Sequence, residues 1–261
     1  MNSFMIKYLG YILFSRHRLG HGIHSPFVFY LVSRVFRNKI DPGVVLMIDD
    51  IRKKNISGNR TISVLDIGAG SSKMKSSIRK VSHIVKYSSV PEKYGILLSR
   101  LAGEFGGKDI VELGTSAGFS TMYLAAACPD STVYSIEGCP ATAQIARENF
   151  DLAGLGNINL LVGSFEEKLQ ELIGKPVSPG LVFIDGNHKK GPVINYFSQL
   201  AELSGKETVI IIDDIHCSDE MEEAWETIKK HEKVTLTVDI FRMGLVFFRE
   251  GVNHFNYVVR Y

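Results

Sequence analysis

Short apolar, β-branched runs alternate with helical patterns from residue 108 onward. Five runs have the length and composition of strands buried on both faces, namely residues 110–113, 133–137, 158–162, 181–185 and 208–213. Helical spacing with ordinary helix punctuation fills the stretches between and after them, at residues 119–127, 140–155, 165–173, 193–203 and 219–231. This alternation predicts an α/β fold with a parallel, doubly wound sheet.

The C-terminal pattern differs from this alternation. Residues 234–241 and 245–249 have the character of strands, with only three residues between them. Because so short a connection cannot make a parallel crossover, the two strands must form an antiparallel hairpin. The last strand is therefore expected to run antiparallel to its neighbours and to close an otherwise parallel sheet.

Residues 1–107 are interpreted as an N-terminal helical extension or lid, and residues 108–261 as the main domain. Helices are predicted over residues 26–37, 43–54, 75–85 and 92–103. Strand patterns are too few for a second sheet domain. The basic and aromatic stretch at 16–30 could line a pocket for an anionic or aromatic substrate, or could be a helical cap with aromatic core residues.

A strand, a glycine turn and a helix start follow one another between Asp109 and Ser120. Gly114 and Gly118 allow a tight turn and a close approach to a ligand, which the N–H groups of the next helix would face. Glu137 ends the following strand, where an acid suits the two hydroxyls of a ribose. The turn lacks the G-x-G-x-x-G spacing that a pyrophosphate requires. The pattern predicts a nucleoside cofactor, with S-adenosylmethionine as the leading candidate.

A second glycine turn, from Asp66 to Ser71, competes for the same role. It matches a D-x-G-x-G pattern better, but the stretch after it is rich in lysine and arginine and has no second strand ending in an acid. The cofactor is therefore assigned to the segment that starts near Ile110. The loop is interpreted as a glycine-rich connection before a helix, and the alternative that it reaches the mouth of the active site stays open.

Carboxylates also end two later strands. Asp185 closes one, and Asp213 with Asp214 closes the next. Ligands of open α/β sheets bind outside the carboxyl ends of the strands, so these acids should converge there. Three converging acids would repel one another without a cation, and oxygen ligands suit Mg²⁺. Helix capping would explain only one of them.

Four motifs together resemble those of class I S-adenosylmethionine-dependent O-methyltransferases, of the catechol and caffeoyl-CoA type and the related bacterial small-molecule enzymes. They lie at residues 112–120, 134–137, 183–185 and 212–214, and the resemblance covers residues 108–249. It implies a Rossmann-like methyltransferase sheet and a divalent metal, Mg²⁺ or another, on Asp185, Asp213 and Asp214. The third metal ligand is more often Asn in the catechol type.

The resemblance also implies a cofactor-binding set and a general base. The set comprises Glu112, Gly114, Thr115, Ser116, Gly118, Ser120, Glu137, Gly138, Gly163, Ser164, Phe165 and Asp185. Catechol-type enzymes place a lysine base three residues after the first metal acid, and this chain has His188 there. A histidine can take a proton from a hydroxyl acidified by a metal. Lys189 is the alternative base, and a surface role for His188 is the plain alternative.

Composition limits the partners. The chain has 261 residues, 45% of them hydrophobic, and a net charge of +2. This charge gives no argument for nucleic acid or a membrane surface. The three cysteines show no pairing or metal spacing, so a reduced cytoplasmic protein is expected, and no apolar run reaches the length of a membrane span. The expected partner is a small-molecule methyl acceptor, and a homodimer stays open.

Three other functions stay open at this point. The first is a metal-independent methyltransferase that acts on nitrogen, sulfur or protein. Measuring whether activity depends on a metal would distinguish it from the metal-assisted O-methyltransferase. A non-catalytic nucleoside-binding module is disfavoured by the three acids and His188. An NAD-dependent oxidoreductase is disfavoured by the C-terminal hairpin and the missing G-x-G-x-x-G. The sequence does not identify the methyl acceptor.

Overall fold

The computed structural model describes residues 3–15, 23–65, 77–250 and 254–261. Strands β1 (Thr61–Ser63) and β2 (Ile78–Lys80) form a small antiparallel pair. The main sheet consists of β3 (Asp109–Leu113), β4 (Thr132–Glu137), β5 (Ile158–Val162), β6 (Pro179–Ile184), β7 (Val209–Asp213), β8 (Leu236–Asp239), β9 (Met243–Phe247) and β10 (Phe255–Val258). Its order is β10-β8-β9-β7-β6-β3-β4-β5, and within it only β9 runs antiparallel to its neighbours.

Helices precede the main sheet and then alternate with its strands. The first group is α1 (Ser3–Phe14), α2 (Pro26–Ser33), a 3-10 turn (Val35–Arg37), α3 (Pro42–Ser57), α4 (Val81–Ser88) and α5 (Glu92–Phe105). The second group is α6 (Phe119–Ala127), α7 (Pro140–Ala153), α8 (Phe165–Ile173), α9 (Lys190–Leu203) and α10 (Asp219–Ile228). Within the described ranges, none of these helices has the length and apolarity needed to span a membrane.

Two apolar cores cover the two faces of the sheet. Successive residues of β3 face opposite cores, Ile110 one and Val111 the other, as the two-residue period of a strand requires. Helices α2 to α7 pack on the first face and α8 to α10 on the second. The N-terminal helices therefore share one core with the sheet, and the division of the chain at 107/108 stays a prediction.

The predicted fold class is confirmed. The five expected strands form the parallel part of the sheet, and β8 and β9 form the expected hairpin. β3 lies between β4 and β6. The chain runs from β3 outward to β4 and β5 on one side, then returns to the other side of β3 and runs outward through β6 and β7. Such a reversal opens a crevice outside the carboxyl ends of the strands, which is where ligands of this architecture bind.

Two expectations about individual elements are wrong. The predicted helix at 75–85 contains strand β2, and the helix begins only at Val81, because the apolar helical stripe of Val81, Ile84 and Val85 starts there. The antiparallel strand β9 is also not the last strand, because an unpredicted strand, β10, follows it and pairs in parallel with β8. The residues of β10 are mostly exposed, so no buried apolar run marks it. The loop at 66–71 and most of the basic stretch, residues 16–22, lie outside the described residues.

Candidate active site

A cavity of about 200 Å³ lies at the carboxyl end of β4. The glycine turn after β3 brings Ser116 to its wall, and the end of β4 brings Glu137 and Gly138. The start of α8 adds Ser164 and Phe165. The fold therefore gathers residues from three separate stretches of the predicted cofactor set around one cavity. Their role in cofactor binding stays a prediction.

Glu137, the acid predicted to meet a ribose, lines the cavity. Its Oε2 accepts the backbone N–H of Ser116 at 2.8 Å, and its Oε1 accepts that of Cys139 at 2.8 Å. Burial raises the pKa of this carboxyl, and the two amides oppose the shift. A carboxylate oxygen can accept more than one hydrogen bond, so Glu137 can still accept both hydroxyls of a ribose. The residues of this cavity fit the nucleoside part of S-adenosylmethionine.

The two glycines of the turn are required by packing within the protein. Gly114 has φ +104°, and a Cβ on it would lie 2.0 Å from the carbonyl oxygen of Asp185. Gly118 has φ +85°, and its Cβ would lie 2.4 Å from the ring of Phe150. The first allows the ends of β3 and β6 to approach, and the second allows α6 to start against α7. Packing against neighbouring protein atoms thus requires both glycines, and the expected close approach to a ligand stays a prediction.

Glu112 lies beneath the glycine turn and is fully buried. Its Oε2 accepts hydrogen bonds from the hydroxyls of Thr121 and Ser135, each at 2.5 Å, and Ser135 in turn contacts the hydroxyl of Thr115 at 2.5 Å. Among the described residues, its Oε1 has no hydrogen-bond partner. Burial raises the pKa of Glu112 to about 7. Glu112 therefore joins β3, β4 and α6.

Several members of the predicted cofactor set do not line the cavity. They are Glu112, Gly114, Thr115, Gly118, Ser120, Gly163 and Asp185. Thr115 and Ser120 are buried, so they shape the turn and the helix start that carry Ser116. Sequence position alone could not separate residues that face the cavity from residues that support it.

Part of the cavity wall comes from the N-terminal region, which the sequence had not assigned to the cofactor. The additional lining residues there are Val64, Leu65, Arg79, Ile84 and Ser88. The backbone N–H of Leu65 lies 3.3 Å from the sulfur of Cys139, next to Glu137. Leu65 is followed directly by the glycine loop at 66–71. That loop was the feature of the sequence that could have indicated a contribution of this region to the cavity. The chain on either side of that loop borders the cavity.

Asp185 and His188 lie together at the end of β6. Asn187, with φ +50°, turns the chain so that His188 Nε2 lies 3.5 Å from Asp185 Oδ1. Burial opposes the charge of His188, but the carboxylates, Asp185 first, outweigh it and raise its pKa to about 9. Lys189, the alternative base, is exposed at the start of α9. The structure thus places His188, and not Lys189, beside the acid.

Asp213 is fully buried and paired with Arg242, which sequence reasoning had treated only as part of the hairpin turn. Arg242 Nε donates to Asp213 Oδ1 at 3.0 Å, and Nη2 donates to Oδ2 at 2.7 Å. Nη2 also lies 3.7 Å from Asp214 Oδ1. Burial opposes the charge of Arg242, but the carboxylates of Asp213 and Asp214 raise the pKa of the guanidinium.

The topology explains why Arg242 reaches this place. β9 runs antiparallel to both β7 and β8, so the β8–β9 turn falls at the carboxyl edge, and Met243 pairs with Asp213. A charged residue in that turn must therefore lie near the acids. The predicted hairpin could therefore have indicated that Arg242 lies near these acids.

The three predicted metal ligands do not form a cation site in this arrangement. In the part of the chain that the structure describes, no group of three or more His, Cys, Asp or Glu side chains is placed to hold a metal ion. The physical reason is Arg242, whose guanidinium donates to both oxygens of Asp213 and brings a positive charge to the place where a divalent ion would have to bind. With the guanidinium in place, Asp185, Asp213 and Asp214 do not fit a divalent ion.

A second cavity, of about 230 Å³, lies beside these acids. Its lining residues come from α1, α5 and the turns after β7 and β8, and they are Tyr8, Tyr94, Asp214, His216, Cys217, Phe241 and Arg242. Tyr8 packs edge-on against Phe241, with ring centroids 5.0 Å apart. His216 is held between Glu222 and Asp239 at 2.9 and 2.8 Å. The cavity combines aromatic walls with charged groups, as expected for a small-molecule site.

Residues 111–215, which contain Glu137 and the three acids, match the family model described as a methyltransferase domain. This stretch of the chain is similar to a methyltransferase domain. The resemblance to class I O-methyltransferases found in the sequence motifs is confirmed. The match covers the acids and most of the residues that line the first cavity, but not the N-terminal part of its wall, and it ends before Arg242.

Similar proteins agree with this domain. The catechol O-methyltransferase of Niastella koreensis is 34% identical over 130 residues, which are 49% of this chain and 58% of that protein. The catechol O-methyltransferase of Mycobacterium tuberculosis is 33% identical over 129 residues, which are 49% of this chain and 57% of that protein. The chain thus spans a little over half the length of these curated relatives.

Solved structures share the fold of the methyltransferase domain and its surroundings. The Bacillus cereus O-methyltransferase in complex with SAH has a TM-score of 0.56 at 22% identity, covering 85% of this chain and 97% of that one. The O-methyltransferase TomG of Streptomyces achromogenes, in complex with SAM, has a TM-score of 0.56 at 20% identity, covering 85% and 95%. At this identity the likeness concerns the fold.

Proposed function

We propose that the protein transfers the methyl group of S-adenosylmethionine to a hydroxyl group of a small-molecule acceptor. The observation that carries this proposal is Glu137 in the wall of a cavity of about 200 Å³ at the carboxyl end of β4. The names of the relatives, catechol O-methyltransferases, support the choice of oxygen as the acceptor atom. When bound, S-adenosylmethionine supplies an electrophilic methyl group on a sulfonium sulfur.

The chain's own residues supply binding and positioning. Glu137 accepts the ribose hydroxyls, while Ser116, Gly138, Ser164 and Phe165 border the rest of the nucleoside. The N-terminal residues that line the same cavity exclude water from it. Holding two reactants in a productive orientation supplies a large part of the rate gain of such a transfer.

His188 is the proposed base for the acceptor hydroxyl. With a pKa raised to about 9, only about 1% of it is neutral at pH 7. Proton transfer to His188 is therefore favoured under alkaline conditions, unless a bound acceptor alters its surroundings. Lys189 stays the second candidate, and its exposed position argues against it.

The acceptor is proposed to occupy the second cavity. Tyr8, Tyr94 and Phe241 offer ring faces and edges that suit a flat, largely apolar molecule. Asp214 and Arg242 border the same cavity and would meet its polar end. The acceptor class is thus a small hydroxylated compound, with an aromatic ring as the first choice. The divalent ion expected from the sequence at Asp185, Asp213 and Asp214 is not part of this proposal, because Arg242 pairs with Asp213.

Binding of S-adenosylhomocysteine to the purified protein is the first test. A thermal-shift comparison should show stabilisation by S-adenosylhomocysteine and none by NAD. Glu137→Gln should weaken the affinity for S-adenosylhomocysteine at least about tenfold, because an amide replaces the acid that meets the ribose. Glu148→Gln, at an exposed ion pair with Arg60, is the matched control and should bind normally.

Methyl transfer itself is tested with labelled S-adenosylmethionine and a panel of catechols, phenols and glycosides. Labelled product from at least one hydroxylated acceptor is the expected result. Stabilisation by NAD alone, or wild-type affinity in Glu137→Gln, would contradict the proposal.

A further inference from the structure

Arg242 borders the second cavity, and both its backbone and its side chain are fixed by contacts with the protein. Its backbone carbonyl accepts the N–H of Ile215 at 3.2 Å, and its guanidinium lies over the ring of Tyr94 at 5.3 Å from the centroid. Its side chain is 27% exposed, whereas that of Asp213 is 0% exposed. The guanidinium is thus fixed between a buried acid, an aromatic ring and the acceptor cavity.

This guanidinium lies beside two of the three acids that the sequence predicts as ligands of a divalent ion. The predicted ligands are Asp185, Asp213 and Asp214. Arg242 binds both oxygens of Asp213, and Asp214 is 3.7 Å away. Guanidinium is positively charged at every physiological pH. The chain therefore supplies a permanent cation of its own to these acids.

A divalent ion could use Asp213 only if Arg242 left it. Paired charge-assisted hydrogen bonds to a buried carboxylate are strong, and removing one partner of a buried pair is costly. A divalent ion added beside the guanidinium would be repelled by it at short distance. Both effects disfavour metal binding while Arg242 is in place.

Arg242 still has donors for an acceptor oxygen. Two of its N–H groups are used on Asp213, and a guanidinium carries further N–H groups. Arg242 and Asp214 line the second cavity together. A fixed cation at the place where an oxygen becomes negative stabilises that charge in the transition state.

Resting on the function proposed above, we propose that Arg242 is the cation of the acceptor site, and that methyl transfer in this protein requires no metal ion. The acceptor oxygen loses its proton to His188 or solvent and forms the new O–C bond with its own electron pair, while the pair of the broken S–C bond stays on sulfur. Arg242 stays protonated throughout and stabilises the oxygen by charge and hydrogen bonding. It thus replaces the divalent ion predicted from the sequence.

The decisive measurement is Mn²⁺ binding by electron paramagnetic resonance, on the full chain without cofactor. Wild type should show no stoichiometric site at millimolar Mn²⁺. Arg242→Ala should gain one site per chain, because the positive charge that repels a metal from Asp213 is removed. Arg249→Ala is the matched control, since Arg249 pairs with Glu207 after the other end of β9, and it should gain none.

Activity gives the second readout. Exhaustive chelation should leave wild-type activity within about twofold, and Arg242→Ala should lower kcat/KM at least about 100-fold. Arg242→Gln serves if Arg242→Ala no longer binds S-adenosylhomocysteine. One Mn²⁺ per wild-type chain, a more than tenfold loss on chelation, or no gained site in either variant would overturn the role of Arg242. The Mn²⁺ result stands apart from the methyltransferase assignment, which S-adenosylhomocysteine binding tests.

Discussion

Replacing Glu112 by Gln should change how stability depends on pH. Glu112 is fully buried, its Oε2 is bound by the hydroxyls of Thr121 and Ser135, and burial raises its pKa from 4.5 to about 7. Between pH 4.5 and about 7, Glu112 therefore keeps its proton in the folded protein but has lost it in the unfolded chain. Under that condition the free energy of unfolding falls as pH rises.

The magnitude follows from the size of the shift. A shift from 4.5 to about 7 corresponds to a loss of about 3 kcal/mol in the free energy of unfolding, complete above pH 7. Glu112→Gln removes this titration but keeps an oxygen for the two hydroxyls. Its amide nitrogen can lack an acceptor where Oε1 now has no partner among the described residues, which lowers stability by a pH-independent amount. The slope, and not the absolute value, carries the test.

Urea unfolding of the cofactor-free protein at several pH values between 5 and 8 measures this slope. The difference between Glu112→Gln and wild type should shift by about 2 to 3 kcal/mol in favour of the variant as pH rises. Glu148→Gln, at an exposed ion pair, should shift far less. A difference that stays constant within about 1 kcal/mol over this range would refute the reasoning that Glu112 is held partly protonated by burial.

Three further substitutions test the site and its supports. Gly114→Ala should lower the free energy of unfolding, measured in denaturant, by at least about 2 kcal/mol, since its Cβ would meet the Asp185 carbonyl. The control is Gly103→Ala, in α5 with open space around it, which should be neutral or stabilising. The wild-type kcat/KM should rise with pH until about 9 as His188 loses its proton, and His188→Gln should lack this rise in a pH–rate profile. Lys7→Met breaks two ion pairs between α1 and α10, yet should cost less than about 1 kcal/mol in denaturant unfolding.

The parts of the fold that could be predicted are those with strong periodic signals. The buried strands of the parallel sheet carry unbroken apolar runs, and the β8–β9 hairpin follows from a connection too short for a crossover. β10 gives no such signal because most of its residues face solvent. β2 was hidden because a short exposed strand before a helix looks like the first turn of that helix.

At the site, sequence position predicted which strand ends meet, but not which side chains face the cavity. Glu137 and Phe165 line it, whereas Glu112 supports it from beneath. The difference depends on the direction of individual side chains at the ends of strands, which spacing along the chain does not determine. Charge pairing was also hidden, because Asp213 and Arg242 are 29 residues apart and meet only through the pairing of β7 with β9.

The family match covers only part of the residues at the two cavities, and this explains why the relatives do not identify the acceptor. The family match at residues 111–215 contains Glu137, Asp185, Asp213 and Asp214, which belong to the cofactor cavity and the acid edge. The aromatic walls of the second cavity come from α1, α5 and the β8–β9 turn, all outside that match. Arg242, which pairs with Asp213, also lies outside the match. If the acceptor binds in the second cavity as proposed, its surroundings come mainly from residues outside the match, and relatives that share only residues 111–215 can carry different groups there.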